Sequence, residues 1–446
     1  MTKIVSENTV FFRHFSELRE TFSDPAWLAD VRESAIASFD AQGIPTVADE
    51  EWRFTNLAEF ARIEFQPVRP ASITLDQVAT LPIWQIASPR CVFVDGVFSP
   101  ELSEVSNLPQ SVKIGSLRET IASGVDVSGL LAKIAPAETR PFVALNTALW
   151  RDGLYVHAET SQEREVVPQL FVIYLSTGQT PAGATHIRNL IIVERGAKLR
   201  LAEVFCALTP QLYFTNPVSE VLVSREAEFE HYRIQLESTE AYHLGAVQAR
   251  VGGHASYSLM EVALGGRLSR SDLGIEFFEP ESVGILNGLF FLGGSQHADF
   301  HTVIDHAKPY CESHELVKGI LRDHARGVFN GRIIVRPDAQ RTNAKQTNKN
   351  LLLSRTALVN TNPQLEIFAD DVKCTHGATV GHLDETQLFY LRARGISEQA
   401  ARSLLTYAFA NDVLRRIAIQ PLRELLESEI LAVEHMRVDA DLLEAL

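Results

Sequence analysis

Residues 225–255, REAEFEHYRIQLESTEAYHLGAVQARVGGHA, contain two short alternations of apolar and polar side chains between turn-like clusters. The alternations are YRIQL at 232–236 and VQARV at 247–251. A period of two places every second side chain on the same face of a β-strand. The stretch therefore predicts two strands, with turns at the glycine- and alanine-containing clusters 225–227 and 252–255.

Similar turn clusters recur along the chain at similar intervals. Their alanines are Ala197, Ala227, Ala255, Ala298 and Ala325. Three of the four intervals between these alanines are 27 to 30 residues long, and the other is 43 residues long. Repeats of this length are typical of a β-solenoid, in which each coil buries its inward side chains by stacking on its neighbours. A β-sandwich has equally short strands and stays an alternative, but the periodicity favours the solenoid.

Helical patterns flank the part of the chain that is rich in strands. Apolar residues recur at helical spacing after Asp24-Pro25, which predicts an N-cap and a proline in the first turn, and Gly43 ends that helix. Asp384 and Ser397 are predicted to begin two further helices. The sequence thus predicts a mainly β fold in three parts: a helical and mixed region at 1–150, a β-helix core at 151–383 and a helical region at 384–446.

Composition and charge argue against several classes of function. The formal net charge of −15 opposes general nucleic-acid binding, which depends on neutralising phosphates. There is no apolar run of about 18 residues and no secretory signal pattern at the N-terminus, so we expect a cytoplasmic protein that does not bind membranes. The basic stretch at 322–355 has few aromatic residues and is predicted to be a solvated strand face or a docking patch.

The segment DDVKCTHGATVG at 370–381 is the best candidate for a metal site. A thiolate and a neutral imidazole are ligands for iron or zinc, and the spacing of Cys374 and His376 places both side chains on one face of a strand. Two ligands do not complete a site. We therefore expect the others to come from a second chain, unless residues of the segment 297–311 fold back to supply them.

That earlier segment holds a second group of ligand-type residues, namely His297, His301, His306, Cys311 and His314. His297 and His301 share a strand face and could converge on a metal, but we favour hydrogen-bonded structural histidines. The other cysteines, Cys91 and Cys206, are predicted to be core residues. With four scattered cysteines and no C-x-x-C pair, neither a disulfide framework nor a four-cysteine cluster site is expected. The polar string at 340–348 is predicted to be a turn stack held by side-chain hydrogen bonds.

Many strings resemble the SufB/SufD family of iron–sulfur cluster assembly proteins, and within it the SufD branch. They are EWRFTN at 51–56, FVDGVFS at 93–99, ALNTA at 144–148, YFTN at 213–216, KPYCES at 308–313, QRTNAKQTNKN at 340–350, NTNPQLEI at 360–367, ADDVKCTHGATVG at 369–381 and LFYLRARGI at 388–396. The resemblance covers nearly the whole chain. It implies a right-handed parallel β-helix between two helical regions.

The resemblance also implies a function. In that family a SufB–SufD heterodimer carries two copies of the ATPase SufC and builds a nascent cluster from iron and persulfide sulfur. It implies that this chain is a non-catalytic scaffold subunit, which pairs with SufB through a β-helix edge and docks SufC with its C-terminal helices. His376 is implied as a metal ligand at the SufB interface, with Cys374 beside it, and the cargo is transient iron or an iron–sulfur cluster. No catalytic residue and no resident cofactor are expected, and no Walker A motif occurs.

Two other functions stay open at this point. A β-helix carbohydrate-active enzyme could use Asp370 and Asp371 as paired carboxylates, although adjacent strand residues point to opposite faces. A homodimeric metal-binding protein, with two copies of the chain joined by the edge that would face SufB, should instead bind metal stoichiometrically in isolation.

Overall fold

The computed structural model describes residues 9–69, 71–106, 108–160, 167 and 169–433. The expectations for the N-terminal segment 1–8, and for 434–446 of the C-terminal region, lie outside the described residues. Within the described ranges, no helix combines the length and the apolar composition that crossing a membrane requires.

The chain begins with helices, continues as a long series of strands and ends with helices. The helices are α1 (Thr9–Thr21), α2 (Ala26–Gln42), α3 (Leu75–Val78), α4 (Pro82–Ile86), α5 (Leu117–Ala122), α6 (Pro141–Leu149), α7 (Glu385–Ala393), α8 (Glu398–Leu414) and α9 (Gln420–Val433), with 3₁₀ turns at Glu50–Trp52 and Phe60–Arg62. The strands are β1 (Gln66–Pro67), β2 (Arg90–Val94), β3 (Val97–Phe98), β4 (Val112–Ser116), β5 (Leu154–Ala158), β6 (Gln169–Ser176), β7 (Gly183–Val193), β8 (Lys198–Ala207), β9 (Tyr213–Val223), β10 (Glu228–Leu236), β11 (Tyr242–Val251), β12 (Ser256–Ala263), β13 (Leu268–Phe277), β14 (Val283–Leu292), β15 (His297–His306), β16 (Glu312–Leu321), β17 (Arg326–Val335), β18 (Asn343–Leu352), β19 (Leu358–Ile367) and β20 (Lys373–Gly381).

Two sheets form the body of the protein, and successive strands enter them alternately. From β5 onward the odd-numbered strands make sheet A and the even-numbered strands make sheet B. Neighbours within each series are parallel and in continuous register. One odd and one even strand therefore form a coil, and each coil stacks on the one before it. This arrangement confirms the predicted parallel β-helix with helical flanks, in place of a β-sandwich.

The corners of the coils explain the repeat of alanines in the sequence. Gly196, Glu226 and His254 have φ angles of +68°, +63° and +57°, and each directly precedes one of the turn alanines. All five of those alanines are buried in the core that fills the coils. At these three alanines the repeat thus marks corners at which the backbone turns through a left-handed residue and the next side chain points inward. Ala298 and Ala325 follow their left-handed residues, Gly294 and Asp323, by four and two positions.

The helical regions cover the outer faces of the two sheets. Phenylalanines of the N-terminal region, Phe11 and Phe60 among them, pack with Phe214 on sheet A. Helices α8 and α9 pack on sheet B, where Leu426 belongs to the same apolar cluster as Ile234. Each sheet is thereby buried on both sides over part of its length.

The alternation at 232–236 predicts a strand correctly, but its apolar residues do not face the interior. Tyr232 and Ile234 lie under the C-terminal helices. The alternate positions, His231 and Arg233, are buried in the coil, where both contact Glu203. The reason is that helices cover the outer face of sheet B here, so both faces of the sheet are shielded from water. The apolar residues of a strand can then lie on either face.

The predicted helix ends agree with the structure at three points. Gly43 ends α2 with φ +70°, Asp384 caps α7 by accepting the Thr386 N–H, and Ser397 caps α8 by accepting the Ala400 N–H. Asp24 does not cap α2, because its carboxylate is paired with Arg32 at 2.8 Å. Helix α9 was not predicted. The region boundaries at 150 and 383 stay predictions.

Candidate functional site

The segment with Cys374 and His376 forms β20, the last strand of sheet B. Within the described residues β20 pairs only with β18, and β19, the last strand of sheet A, pairs only with β17. Two open strand edges therefore lie together at this end of the solenoid, which we call the open end. Unpaired N–H and C=O groups along such edges are a template for pairing with another chain.

Side chains at the open end are more exposed than their counterparts one coil further in. Cys374 lies in register with Ala344 and His376 with Gln346. Ala344 and Gln346 are each 1% exposed, whereas Cys374 is partly exposed and His376 is exposed. Both predicted site residues are thus on the inward side of their strand, at a level where no further coil covers them.

Apolar side chains are also exposed at the open end. Phe368, which follows β19, is 60% exposed, and Val380 of β20 is 48% exposed. Large apolar groups gathered at one surface are typical of a contact site for another molecule. The open end therefore combines unpaired backbone edges, apolar side chains and two potential metal ligands.

The two potential ligands differ in their readiness to bind a metal. Burial raises the pKa of the Cys374 thiol above its ordinary value, and a hydrogen bond with the Ala344 backbone opposes that change. The thiolate is the species that binds metals, so a raised pKa makes Cys374 a weak ligand until a metal displaces its proton. Asp371 does not assist, because its carboxylate is paired with Arg341.

The described residues do not complete a metal site by themselves. In the described part of the sequence, no group of three or more histidine, cysteine, aspartate or glutamate side chains is placed to hold a metal ion. Cys311 is fully buried and donates its thiol to the Glu279 carbonyl oxygen at 3.5 Å. The alternative that residues of 297–311 fold back onto the Cys374 segment is therefore wrong.

His297 and His301 have structural partners, as the sequence suggested. The Nε2 atom of His301 is 3.0 Å from Asp299 Oδ1, its Nδ1 is 3.1 Å from Glu51 Oε2, and His297 Nε2 is 3.0 Å from Thr55 Oγ1. Burial lowers the pKa of His301, but the charge of Asp299 outweighs it and raises the pKa to about 9. A protonated imidazole does not bind a metal, so this group holds the segment 51–56 against sheet A.

Arg270 belongs to the same group and was not recognised in the sequence. Its guanidinium donates to Asp299 Oδ2 at 2.9 Å and lies over the Trp52 ring at 3.8 Å. A buried arginine between a carboxylate and an aromatic face is held in one orientation. His306 is likewise structural, with Nε2 2.9 Å from Ser313 Oγ. The remaining cysteines, Cys91 and Cys206, are buried as predicted.

The polar string at 340–348 does not form the predicted turn stack. Only its first residues lie in a turn, because β18 begins at Asn343. Its side chains are hydrogen-bonded as expected, but they point into the coil: Gln346 Nε2 donates to Glu315 Oε2 at 2.7 Å and Asn348 Nδ2 donates to the Val317 carbonyl at 3.1 Å. The interior next to the open end is therefore polar.

A second feature that was not recognised in the sequence joins sheet B to the C-terminal helices. Lys318 of β16 is 4% exposed, and its Nζ lies 2.9 Å from Asp412 Oδ2 and 3.0 Å from the Phe409 carbonyl oxygen of α8. On α7, by contrast, Phe389 and Tyr390 are 73% and 55% exposed. The helical region is thus tied firmly to the coils on one side and presents aromatic side chains on another.

The basic stretch at 322–355 forms a solvated strand face in which arginines have acidic partners. Arg336 is 2.8 Å from Asp305 and Arg332 is 3.5 Å from Glu366. The two acidic residues proposed for a carbohydrate-active site, Asp370 and Asp371, lie in the exposed bend before β20. They are not on a strand that lines a cleft, which removes the geometric basis for that alternative.

Comparisons with known proteins agree with this architecture. A family model described as "SUF system FeS cluster assembly, SufBD core domain" matches residues 174–409, more than half of the chain, and one described as "SufBD protein N-terminal region" matches residues 5–168. A SufBD family protein of Synechocystis is 32% identical over 89% of both chains. The SufD protein of Escherichia coli is 31% identical over 86% of this chain and 87% of its own, and the chloroplastic protein ABCI7 of Arabidopsis thaliana is 29% identical over 89% and 84%.

Proposed function

Because the chain belongs to the SufBD family of the SUF iron–sulfur cluster assembly system, we propose that it is the SufD-type scaffold subunit of that system. It catalyses no reaction itself, works in the cytoplasm, pairs with a SufB subunit and docks the SufC ATPase. The observation that carries the proposal is the open end, where two unpaired strand edges lie beside two potential metal ligands, and the described residues supply no further ligands.

The open end supports pairing with a second solenoid. A partner with its own terminal coil exposed can add one strand to β19 and one to β20, which continues both sheets across the junction. Pairing would bury Phe368 and Val380 and satisfy the backbone groups of both edges. In the absence of SufB, a second copy of this chain has the same features and would form a homodimer.

The metal ligands support a site shared between the two subunits. His376 supplies an imidazole and Cys374 a thiol that becomes a ligand once a metal displaces its proton. Further ligands come from SufB, so iron and sulfide are held at the junction as cargo while a cluster forms.

The test of this shared site is the iron and sulfide content of the complex co-expressed with SufB and SufC. His376→Ala should remove most of both, and Cys374→Ser should remove a part. His314→Ala is the matched control, because His314 is an exposed histidine of the same sheet away from the open end. Full iron and sulfide in both the His376 and Cys374 variants would exclude this segment from the function. Stoichiometric metal on the isolated chain would instead favour the homodimeric metal-binding protein.

The C-terminal helices support docking of the ATPase. Phe389 and Tyr390 form an exposed aromatic pair on α7, and Lys318 connects α8 to β16. Movement of bound SufC would therefore reach the coils nearest the open end. Phe389→Asp should abolish co-purification of SufC while SufB is retained, and Gln399→Ala, an exposed change on α8, should affect neither. Normal SufC binding by the Phe389→Asp variant would contradict this role of α7.

A further inference from the structure

Gln346 lies one coil below His376 and has an unsatisfied hydrogen-bond acceptor. Its side chain is 1% exposed, and its Nε2 donates to Glu315 Oε2 at 2.7 Å. Its Oε1 is buried without a partner among the described residues. Buried acceptors are nearly always paired in proteins, since an unpaired one costs folding free energy, so this oxygen needs a physical explanation.

The orientation of the Gln346 amide is determined by its neighbours on both sheets. An ionised carboxylate only accepts, so above the pKa of Glu315, which burial raises to about 7, the NH₂ group must face Glu315 and the carbonyl oxygen must face away from it. Across the coil, a Cβ on Gly331 would lie 2.5 Å from Gln346 Nε2, which is too close for any real contact. Glycine at this position therefore makes room for the amide.

His376 is the strand neighbour on the side away from Glu315. The pairing runs in register from Glu315 of β16 to Gln346 of β18 and then to His376 of β20. Adjacent parallel strands are about 4.8 Å apart, so inward side chains in one register stack on each other. The free carbonyl of Gln346 thus faces the strand that carries His376, but the exposed His376 ring does not donate to it in this structure.

We propose that Gln346 is a positioning residue for His376: the ring turns inward to donate one N–H to the free Gln346 carbonyl, so that the other ring nitrogen faces a metal at the open end. Glu315 holds the amide in the orientation that this requires. Histidines that bind metals almost always donate their second ring N–H to an oxygen, which sets the tautomer and the direction of the ring. The inference rests on the proposed role of His376 as an iron ligand and adds the residues that prepare it.

The first test reads the tautomer of His376 in the metal-free isolated chain at pH 8, where Glu315 is mostly ionised. Nitrogen-15 spectra of histidine-labelled protein, assigned by the signal lost in His376→Ala, should show one dominant tautomer in the wild type. Gln346→Met keeps the side-chain length and removes the acceptor, so it should give a mixture. Asn350→Leu changes another buried amide of the same strand and should leave the spectrum unchanged.

A second variant covers the case in which Gln346→Met does not fold. Glu315→Gln keeps the shape of the side chain, but its amide can donate as well as accept, so the orientation of Gln346 is no longer imposed and the tautomers of His376 should mix. An unchanged single tautomer in whichever of these two variants folds would overturn the proposal.

The second test separates this inference from the proposed function. In the co-expressed complex, Gln346→Met should weaken iron binding by about 10- to 100-fold, the usual effect of losing the partner of a metal-binding histidine. If the His376→Ala complex retains its iron, the proposed function itself fails. If that complex loses iron while Gln346→Met changes neither iron affinity nor tautomer, only the positioning role fails.

Discussion

Replacing Glu315 by glutamine should make the stability of the chain less dependent on pH. The Glu315 side chain is 3% exposed inside the solenoid, and burial raises its pKa from 4.5 to about 7 although the hydrogen bond from Gln346 lowers it. A carboxyl group with a raised pKa is destabilising in its charged form. Glutamine keeps the shape and is never charged, so it removes that effect.

The sign and size follow from the two pKa values. Because the pKa is higher in the folded chain, the folded state binds more protons between pH 4.5 and about 7, and the stability of the wild type falls as the pH rises through this window. The full difference of 2.5 units corresponds to about 3 kcal/mol, of which roughly 2–3 kcal/mol develops between pH 5 and pH 8. The free energy of unfolding of the Glu315→Gln variant should therefore rise by that amount relative to the wild type between pH 5 and pH 8.

Urea unfolding followed by circular dichroism at pH 5 and pH 8 measures the change. The difference in free energy of unfolding between Glu315→Gln and the wild type should be larger at pH 8 by the stated amount. Glu228→Gln is an exposed change on β10, and its partner Lys198 stays charged throughout this range, so it should show the same difference at both pH values. An equal difference at pH 5 and pH 8 for Glu315→Gln would refute the reasoning.

Three further predictions concern packing and the helical region. Glu220→Ala leaves the buried Arg188 without its partner at 2.8 Å and should lower the free energy of unfolding by about 3–5 kcal/mol in urea titration; an unchanged midpoint would be inconsistent. Lys318→Met should accelerate amide exchange in α8 but not in the coil strands, and equal exchange in both proteins would speak against the link. Gly331→Ala brings a Cβ to 2.4 Å from a phenylalanine ring and should lower the free energy of unfolding by about 1–3 kcal/mol in thermal unfolding. The Cβ of Gly377→Ala meets nothing within 4 Å, so this variant should lose little stability. Similar losses in the two variants would contradict this packing.

The coil repeat could be predicted from the sequence because each corner needs the same local chemistry. A residue in the left-handed region recurs at the corners, and at Gly196, Glu226 and His254 a buried alanine follows it directly. The side on which a strand turns its apolar residues could not be predicted at 232–236. A period of two does not distinguish the interior of a coil from an outer face that helices cover.

Only part of the candidate site could likewise be predicted from the sequence. That Cys374 and His376 share one side of a strand follows from their spacing alone. That their strand is the last of its sheet, and that Gln346 and Glu315 stack below His376, depends on pairing between residues about 30 positions apart. The link between Lys318 and Asp412 spans an even longer stretch. Such contacts are set by the register of the coils, which no local pattern in one sequence encodes.

The most direct measurement of the central claim is hydrogen–deuterium exchange of the chain alone and in complex with SufB. If the open end is where SufB pairs, the amides of β19 (Leu358–Ile367) and β20 (Lys373–Gly381) should exchange much more slowly in the complex. Strands β5 and β6, at the other end of the solenoid, should exchange at the same rate in both samples. Unchanged exchange in β19 and β20 within a stable complex would contradict the account.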